Sequence, residues 1–336
     1  MNRASRIRQW LPDRQPTILI LLYHRVTTLE SDPQLLSVTP RHFSEHLDVL
    51  RRRYRPAKLE QITFDETQRS NRQRRVAVTF DDGYADNLYQ ARPLLESVGW
   101  PATVFVTAGQ IDIDREFWWD ELERVFLRTP GLPRQLRLTI GGCERAWEIK
   151  DGEQCCDPKW NVMLGLNPMS RQAAYLELAF LLRSLQSVAR QRIIEEIQCW
   201  AGLRLSGRVS HRSLSSKELR RLTADGLIEV GAHTVTHPSL PALPISAQRS
   251  EIFDSKAMVE RILDKPVRTF SYPFGARSDF NARTIRLVNE AGFDVACANF
   301  SGIVCRSTHR YKLPRMLVRD WDGDEFTRQL EMAFGG

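Results

Sequence analysis

No CxxC pair occurs among the six cysteines of this 336-residue chain, at positions 143, 155, 156, 199, 297 and 305. The vicinal Cys155 and Cys156 make a poor start for a disulfide framework. A disulfide-stapled secreted scaffold is therefore set aside, and a reducing compartment is expected. Long apolar runs are missing too. Ile18 to Leu22 is the only such run near the N-terminus, far too short for a signal-peptide core or a membrane span. The expectation is a cytoplasmic protein, with peripheral membrane contact left open. Neither sign of charge dominates: 48 Lys and Arg face 41 Asp and Glu, for a net +7. Charged residues at 26% and apolar ones at 42% sit near globular averages, which excludes disordered and repeat classes. The basic clusters Arg51 to Arg53 and Arg72 to Arg75 read as solvated faces, because no nucleic-acid module accompanies them.

The length suits one large α/β domain with an insertion, or two ordinary domains. Residues 1–15 form a basic arm. Thr17 to Val26 (TILILLYHRV) is nearly continuous in apolar residues, as in a strand buried on both faces, and it ends at Tyr23, His24 and Arg25. Thr39 and Pro40 open a helix, with Phe43, Leu47, Leu50 and Tyr54 on one face. Val76 to Gly83 (VAVTFDDG) reads as an interior strand that stops at two acids and a glycine. A helix from Leu88 to Val98, closed by Gly99, and a strand from Ala102 to Thr107 complete a parallel βα pattern. Between about 111 and 212 the rhythm breaks. FWWDELERVFL, a Gly-Gly stretch near 141, a Trp- and Cys-containing loop and two helical runs, Arg171 to Leu185 and Gln191 to Trp200, are expected to form a mostly helical insertion of about a hundred residues. From Ser215 the alternation resumes: strands at Leu227 to Ala232, Val267 to Tyr272, Asp294 to Ala298 and near Met316, with helices between them and a closing helix from Asp322 to Phe334. About seven βα units predict a barrel over residues 16–336, and in barrels catalytic residues gather at the carboxyl ends of strands. His24, Asp81, Asp82 and His233 all fall there.

Adjacent carboxylates repel unless a cation or a shared proton relieves them. Successive side chains at a strand end point apart, so one of Asp81 and Asp82 can hold a metal while the other faces a substrate; a solvated Asp-Gly turn is the plainer alternative. LIEVGAHTVTHP, Leu227 to Pro238, delivers His233 to a strand end with His237 four residues on. On a helical turn that spacing puts both imidazoles on one side. Two histidines and one acid form a common three-ligand set for a catalytic divalent ion.

TFDDG, then HTVTH over a hundred residues later, then SYPFG, together resemble the polysaccharide deacetylase family with the NodB homology domain. That family comprises metal-dependent amidohydrolases of N-acetylated sugars built on a distorted (β/α)7 barrel. The resemblance implies one divalent ion, Zn²⁺ first with Co²⁺, Ni²⁺ or Fe²⁺ as alternatives, held by Asp82, His233 and His237 beside Asp81 as base. The family's late LxH motif is missing, but Leu22, Tyr23 and His24 spell LYH, as in circularly permuted members, which makes His24 the expected general acid. Ser271 stands where the family's common third motif has an arginine. Arg315, in LPRM, is the candidate to hold the base instead. Tyr272 and Phe274 are assigned to the oxyanion and substrate contacts, with a backbone N–H near Phe274 as the donor. Trp118 and Trp119, beside Phe117, Asp120 and Glu121, suit either a sugar-binding lid or apolar packing of the insertion. The implied activity is removal of the acetyl group from an N-acetylated polysaccharide, oligosaccharide or lipid-linked sugar, in making an exopolysaccharide or glycolipid. The alternatives are a deformylase or other deacylase of a lipid-linked aminosugar, and a silent glycan-binding barrel.

Overall fold

A computed structural model describes residues 18–62, 74–150, 157–164, 170–204 and 206–335. The basic arm at 1–15, Cys155 and Cys156 lie outside them. Among the described residues the central sheet has eight strands, seven of them in one path: β1 (Ile18–Tyr23), β2 (Arg75–Phe80), β3 (Ala102–Val106), β4 (Ile228–Ala232), β5 (Thr269–Ser271), β6 (Val295–Cys297) and β7 (Met316–Leu317), with the short strand Arg55–Pro56 pairing off that path with β2. The seven run parallel in the order β6-β5-β4-β3-β2-β1-β7. The two edges meet through a parallel bridge between Cys297 and Leu313. There Leu313 N–H donates to Ala296 O and Ala298 N–H to Leu313 O, both at 2.9 Å. The result is the expected (β/α)7 barrel.

Its strands are apolar on both faces because both faces are covered. Ile20, Ala77, Phe105, Cys297 and Leu313 converge inside the barrel. The opposite side chains of the same strands, such as Leu19, Leu21, Val78 and Val104, pack under the helices. The interior is tight where Phe105 meets β4: a Cβ placed on Gly231 would sit 2.4 Å from its ring. Helix α1 (Pro40–Arg53) starts as its sequence predicts, with Thr39 Oγ1 accepting from His42 N–H and Pro40 in the first turn. A π-helical turn, Asn87–Ala91, leads into α2 (Arg92–Val98), which ends at Gly99 with φ of 62°.

The insertion has its own core, with Leu122, Phe126, Tyr175, Leu178 and Ile197 buried together. Its helices are α3 (Trp118–Glu123), α4 (Ser170–Leu182) and α5 (Ser187–Trp200). Beside these helices the segment also carries a pair of strands. Residues Gln135–Ile140 and Cys143–Glu148 form an antiparallel hairpin. Gly141 and Gly142, with φ of 61° and 82°, make its two-residue turn, the left-handed pair such a turn requires. Leu136, Leu138 and Ile140 alternate inward between exposed neighbours. Beyond the insertion come α6 (Ser216–Leu222), α7 (Ile245–Leu263), α8 (Ala282–Glu290) and α9 (Gly323–Ala333). Among the described residues no helix is long and apolar enough to cross a membrane.

Candidate active site

The site lies at the carboxyl ends of β1, β2, β4 and β7, around a cavity of about 390 Å³. At the end of β2 the chain turns sharply: Asp82 has φ of 74° and Gly83 of 84°. A side chain at 83 would come within 2.8 Å of Val106, and few residues tolerate this backbone region. The turn is fixed by Thr107 N–H donating to Asp82 O at 3.2 Å and Leu214 N–H to Gly83 O at 2.9 Å. It separates the two carboxylates, which serve different partners.

Asp81 belongs to Arg315. The guanidinium forks onto it, Nη1 to Oδ1 and Nη2 to Oδ2, each at 2.7 Å. Arg315 is itself held by Ala298 O at 2.8 Å, Thr79 Oγ1 at 3.2 Å and Ser271 Oγ at 2.9 Å. Ser271 also donates to Asp81 at 3.2 Å. Ser271 and Arg315 thus form one unit, the small side chain on β5 leaving room for an arginine that arrives just before β7. Burial alone would raise the Asp81 pKa, but the attraction of Arg315, with that of His233, holds it well below the ordinary carboxylate value. It is ionised at neutral pH.

Asp82 faces the histidines. Its Oδ1 lies 3.4 Å from His237 Nε2 and 3.6 Å from His233 Nε2, and one ligand atom from each of the three buried residues falls within 4.8 Å of the others. His233 Nδ1 is 2.7 Å from Ser271 O, which keeps the proton on that nitrogen and turns the Nε2 lone pair to the site. Among the described residues no Lys or Arg pairs with Asp82. Burial, then repulsion from Asp81 and Asp120, pushes its pKa far up, and a divalent cation relieves that cost. Two imidazole nitrogens and a carboxylate oxygen, buried and close together, fit such an ion.

The two histidines converge without a helix. Thr234 and His237 have φ of 64° and 54°, so a tight turn brings them together. Glu251 on α7 clamps that turn, accepting from Val235 N–H at 2.8 Å, Thr236 N–H at 2.9 Å and Thr236 Oγ1 at 2.6 Å. Nothing near HTVTH in the sequence points to Glu251. His237 packs against Trp119 and Phe274, ring centroids 4.7 and 4.8 Å away.

His24 interrupts the strand after Tyr23, half-buried, and lines the same cavity as both acids and both histidines. Burial lowers its pKa to about 4, against the pull of Asp81. Trp118, Trp119 and Phe274 also line the cavity. The two tryptophans belong at the same time to the insertion core, so the same rings pack the insertion and border the cavity. Trp119 Nε1 donates to Tyr84 OH at 2.8 Å, and Tyr84 donates to Asp120 at 2.7 Å. Phe274 has φ of 60°, and among the described residues its N–H meets no protein acceptor. Tyr272 is a correction. Its ring is buried against Phe280, its hydroxyl donates to Tyr311 O at 3.2 Å and its N–H to Cys297 O at 3.1 Å, so hydroxyl and N–H are both engaged away from the cavity. It follows β5 and points into the helical layer.

A family model described as polysaccharide deacetylase matches residues 68–128 and 190–296, half of the chain. YxkH of Bacillus subtilis (strain 168) is 26% identical over 110 residues, covering 33% of this chain and only 38% of that relative's length. The fold is similar to that of the Streptococcus pyogenes deacetylase PplD in complex with acetate, with TM-score 0.58 and 16% identity over 94% of this chain and 98% of that one. It is also similar to BC0361, a polysaccharide deacetylase from Bacillus cereus, with TM-score 0.56 and 15% identity over 94% and 69%. The family match skips most of the insertion and takes in both TFDDG and HTVTH, and by it this chain belongs to the polysaccharide deacetylase family.

Proposed function

We propose that the protein is a metal-dependent hydrolase that removes the N-acetyl group from an N-acetylated sugar. One observation carries this reading. Three buried ligand atoms lie within 4.8 Å of one another, beside a second carboxylate that is bound by arginine and ionised, all opening on one cavity with His24. Asp82, His233 and His237 would hold the ion. When bound, it would supply Lewis acidity, making water a nucleophile near neutral pH and polarising the amide carbonyl.

The chain's own groups do the rest. Asp81 takes the proton of the attacking water, and the fork of Arg315 fixes the carboxylate's orientation while keeping it a base. The N–H of Phe274 donates to the oxygen that gains charge as the carbonyl is attacked. His24 delivers a proton to the sugar nitrogen, which leaves poorly as an unprotonated amine. Burial lowers the His24 pKa to about 4, so the imidazole must gain a proton before it can donate one, and the negative charge of Asp81 favours that gain. Trp118, Trp119 and Phe274 offer apolar faces for a sugar ring. Zinc is the first candidate for the ion, since two nitrogens and one oxygen suit it as well as Co²⁺, Ni²⁺ or Fe²⁺.

The test is an acyl-product assay. Metal-reconstituted protein is incubated with N-acetylglucosamine oligomers and with lipid-linked aminosugars, and free acetate and formate are measured. Acetate release that vanishes with Asp81→Asn and on chelation is expected. Formate as the product would move the reading to a deformylase, and turnover unchanged in Asp81→Asn would remove the proposed base.

A further inference from the structure

One cation in the cleft has no part in the chemistry above. Arg319 follows β7 and lines the cavity together with His24. Its Nη1 donates to the backbone oxygens of Gln34, at 3.1 Å, and Leu35. Its other N–H groups meet no acceptor among the described residues, and no carboxylate there lies within ion-pair distance of it. Asp32 attracts it through space, but both Asp32 oxygens already accept backbone N–H groups, from Leu36 at 2.9 Å and Ser37 at 2.8 Å.

The other charges lining the cavity are answered. Asp81 has Arg315, Arg183 has Asp279, and Asp82 has the two histidines with which it forms the candidate metal set. A half-buried guanidinium with no carboxylate at ion-pair distance has lost hydration that its two backbone contacts only partly replace. Arginine keeps its charge under such conditions and presents a planar fork that matches phosphate or carboxylate. The surrounding wall is mixed, with Gln34 and Asn299 as polar groups and Phe180, 70% exposed, at the rim.

We propose that Arg319 recognises an anionic group, a phosphate or a carboxylate, carried by the N-acylated sugar, so that the preferred substrate is anionic. This rests on the deacylase reading and narrows its substrate class. Because Arg319 also ties down the backbone at Gln34 and Leu35, a purely structural role predicts something different: its loss would weaken all substrates alike.

The experiment compares kcat/KM for N-acetylglucosamine, N-acetylglucosamine 1-phosphate and N-acetylmuramic acid, with wild type, Arg319→Lys and Arg319→Gln. A charge-assisted pair of this kind gives a preference of roughly tenfold or more. The wild type is expected to favour one anionic sugar by that factor, mainly through KM. The ratio should fall to about one in Arg319→Gln and be partly kept in Arg319→Lys. Preference for the 1-phosphate identifies phosphate as the anion, and preference for the muramic acid identifies carboxylate. An equal wild-type rate on neutral and anionic sugars, or a ratio unchanged in Arg319→Gln, overturns the proposal. Calorimetric titration of the same sugars into the same three proteins decides the matter independently of turnover. If no sugar is hydrolysed but the 1-phosphate or the muramic acid binds the wild type tenfold tighter than Arg319→Gln, the anion site stands and the deacylase reading falls. Equal binding sinks the anion site.

Discussion

Two adjacent acids meet opposite fates because a left-handed turn at Asp82 aims them at different partners. Asp81 gains a buried fork from Arg315, while Asp82 faces only neutral imidazoles, where a cation or a proton would relieve its charge. Arg315→Gln should therefore cost more than a surface arginine would. It strands a buried carboxylate, which is worth about 3–5 kcal/mol of stability, and it loosens the proposed base, so kcat/KM is expected to fall by about two orders of magnitude. The pH dependence has a definite sign. In the wild type Asp81 is held below its ordinary 3.8, so the acid limb of the pH–rate profile due to this group lies below that value. Without Arg315, burial dominates and the limb moves up toward neutral pH. Profiles of the two proteins between pH 4 and 8 check this, and an unmoved limb would mean that Asp81 is not the base. Tyr272 shows what sequence proximity misses: it sits inside SYPFG, yet its register turns it from the cleft.

At the scale of elements, the barrel leaves little slack. Gly231 in β4 faces Phe105 at a distance that admits no methyl group. Gly231→Ala is expected to destabilise the fold by about 1–3 kcal/mol through overpacking. Double substitution with Phe105→Leu should restore part of it, as read by denaturant unfolding. The packing of α1 on α9 carries a separate pH signature. His46 is buried and stacked on Phe326, with Nδ1 3.2 Å from Tyr23 OH and Nε2 2.7 Å from Trp321 O. Burial lowers its pKa from 6.5 to about 4. The unfolded chain binds this proton more readily than the folded one, so the contribution is full above pH 6.5 and is lost as pH falls toward 4. That loss is roughly 3 kcal/mol. The gap in stability between wild type and His46→Gln should shrink across that window, and a constant gap would refute the assignment.

For the molecule as a whole, the candidate centre joins elements far apart in sequence, so a bound ion should stabilise the folded state. Adding Zn²⁺ to chelated protein is expected to raise Tm by several degrees, on the order of 5 °C if the ion is present at about a hundredfold above Kd. Asp82→Ala should abolish the shift. Differential scanning fluorimetry reads this without any substrate, and an equal shift in the variant would place the ion elsewhere. The insertion adds the aromatic wall through Trp118 and Trp119, and the barrel contributes every candidate ligand and acid–base group.

The sequence by itself determined what local patterns can encode: buried parallel strands from unbroken apolar runs, the caps at Thr39 and Gly99, and the chemical types arriving at the strand ends. TFDDG and HTVTH each span only a few residues, so most of the site was legible there. The tertiary structure alone decided the pairings across distance. It set Ser271 beside the expected pairing of Arg315 with Asp81, placed Glu251 beneath the histidine turn, brought the Leu313 segment alongside Cys297 to join the sheet edges, and set Arg319 in the cleft. The hairpin at 135–148 was written in the alternation of Leu136, Leu138 and Ile140 around Gly141 and Gly142, but the partner for its apolar face came from helices elsewhere in the insertion. Such contacts depend on which surfaces meet once strands and helices pack, and a single arginine or glutamate carries no mark of its partner until the chain has folded around it.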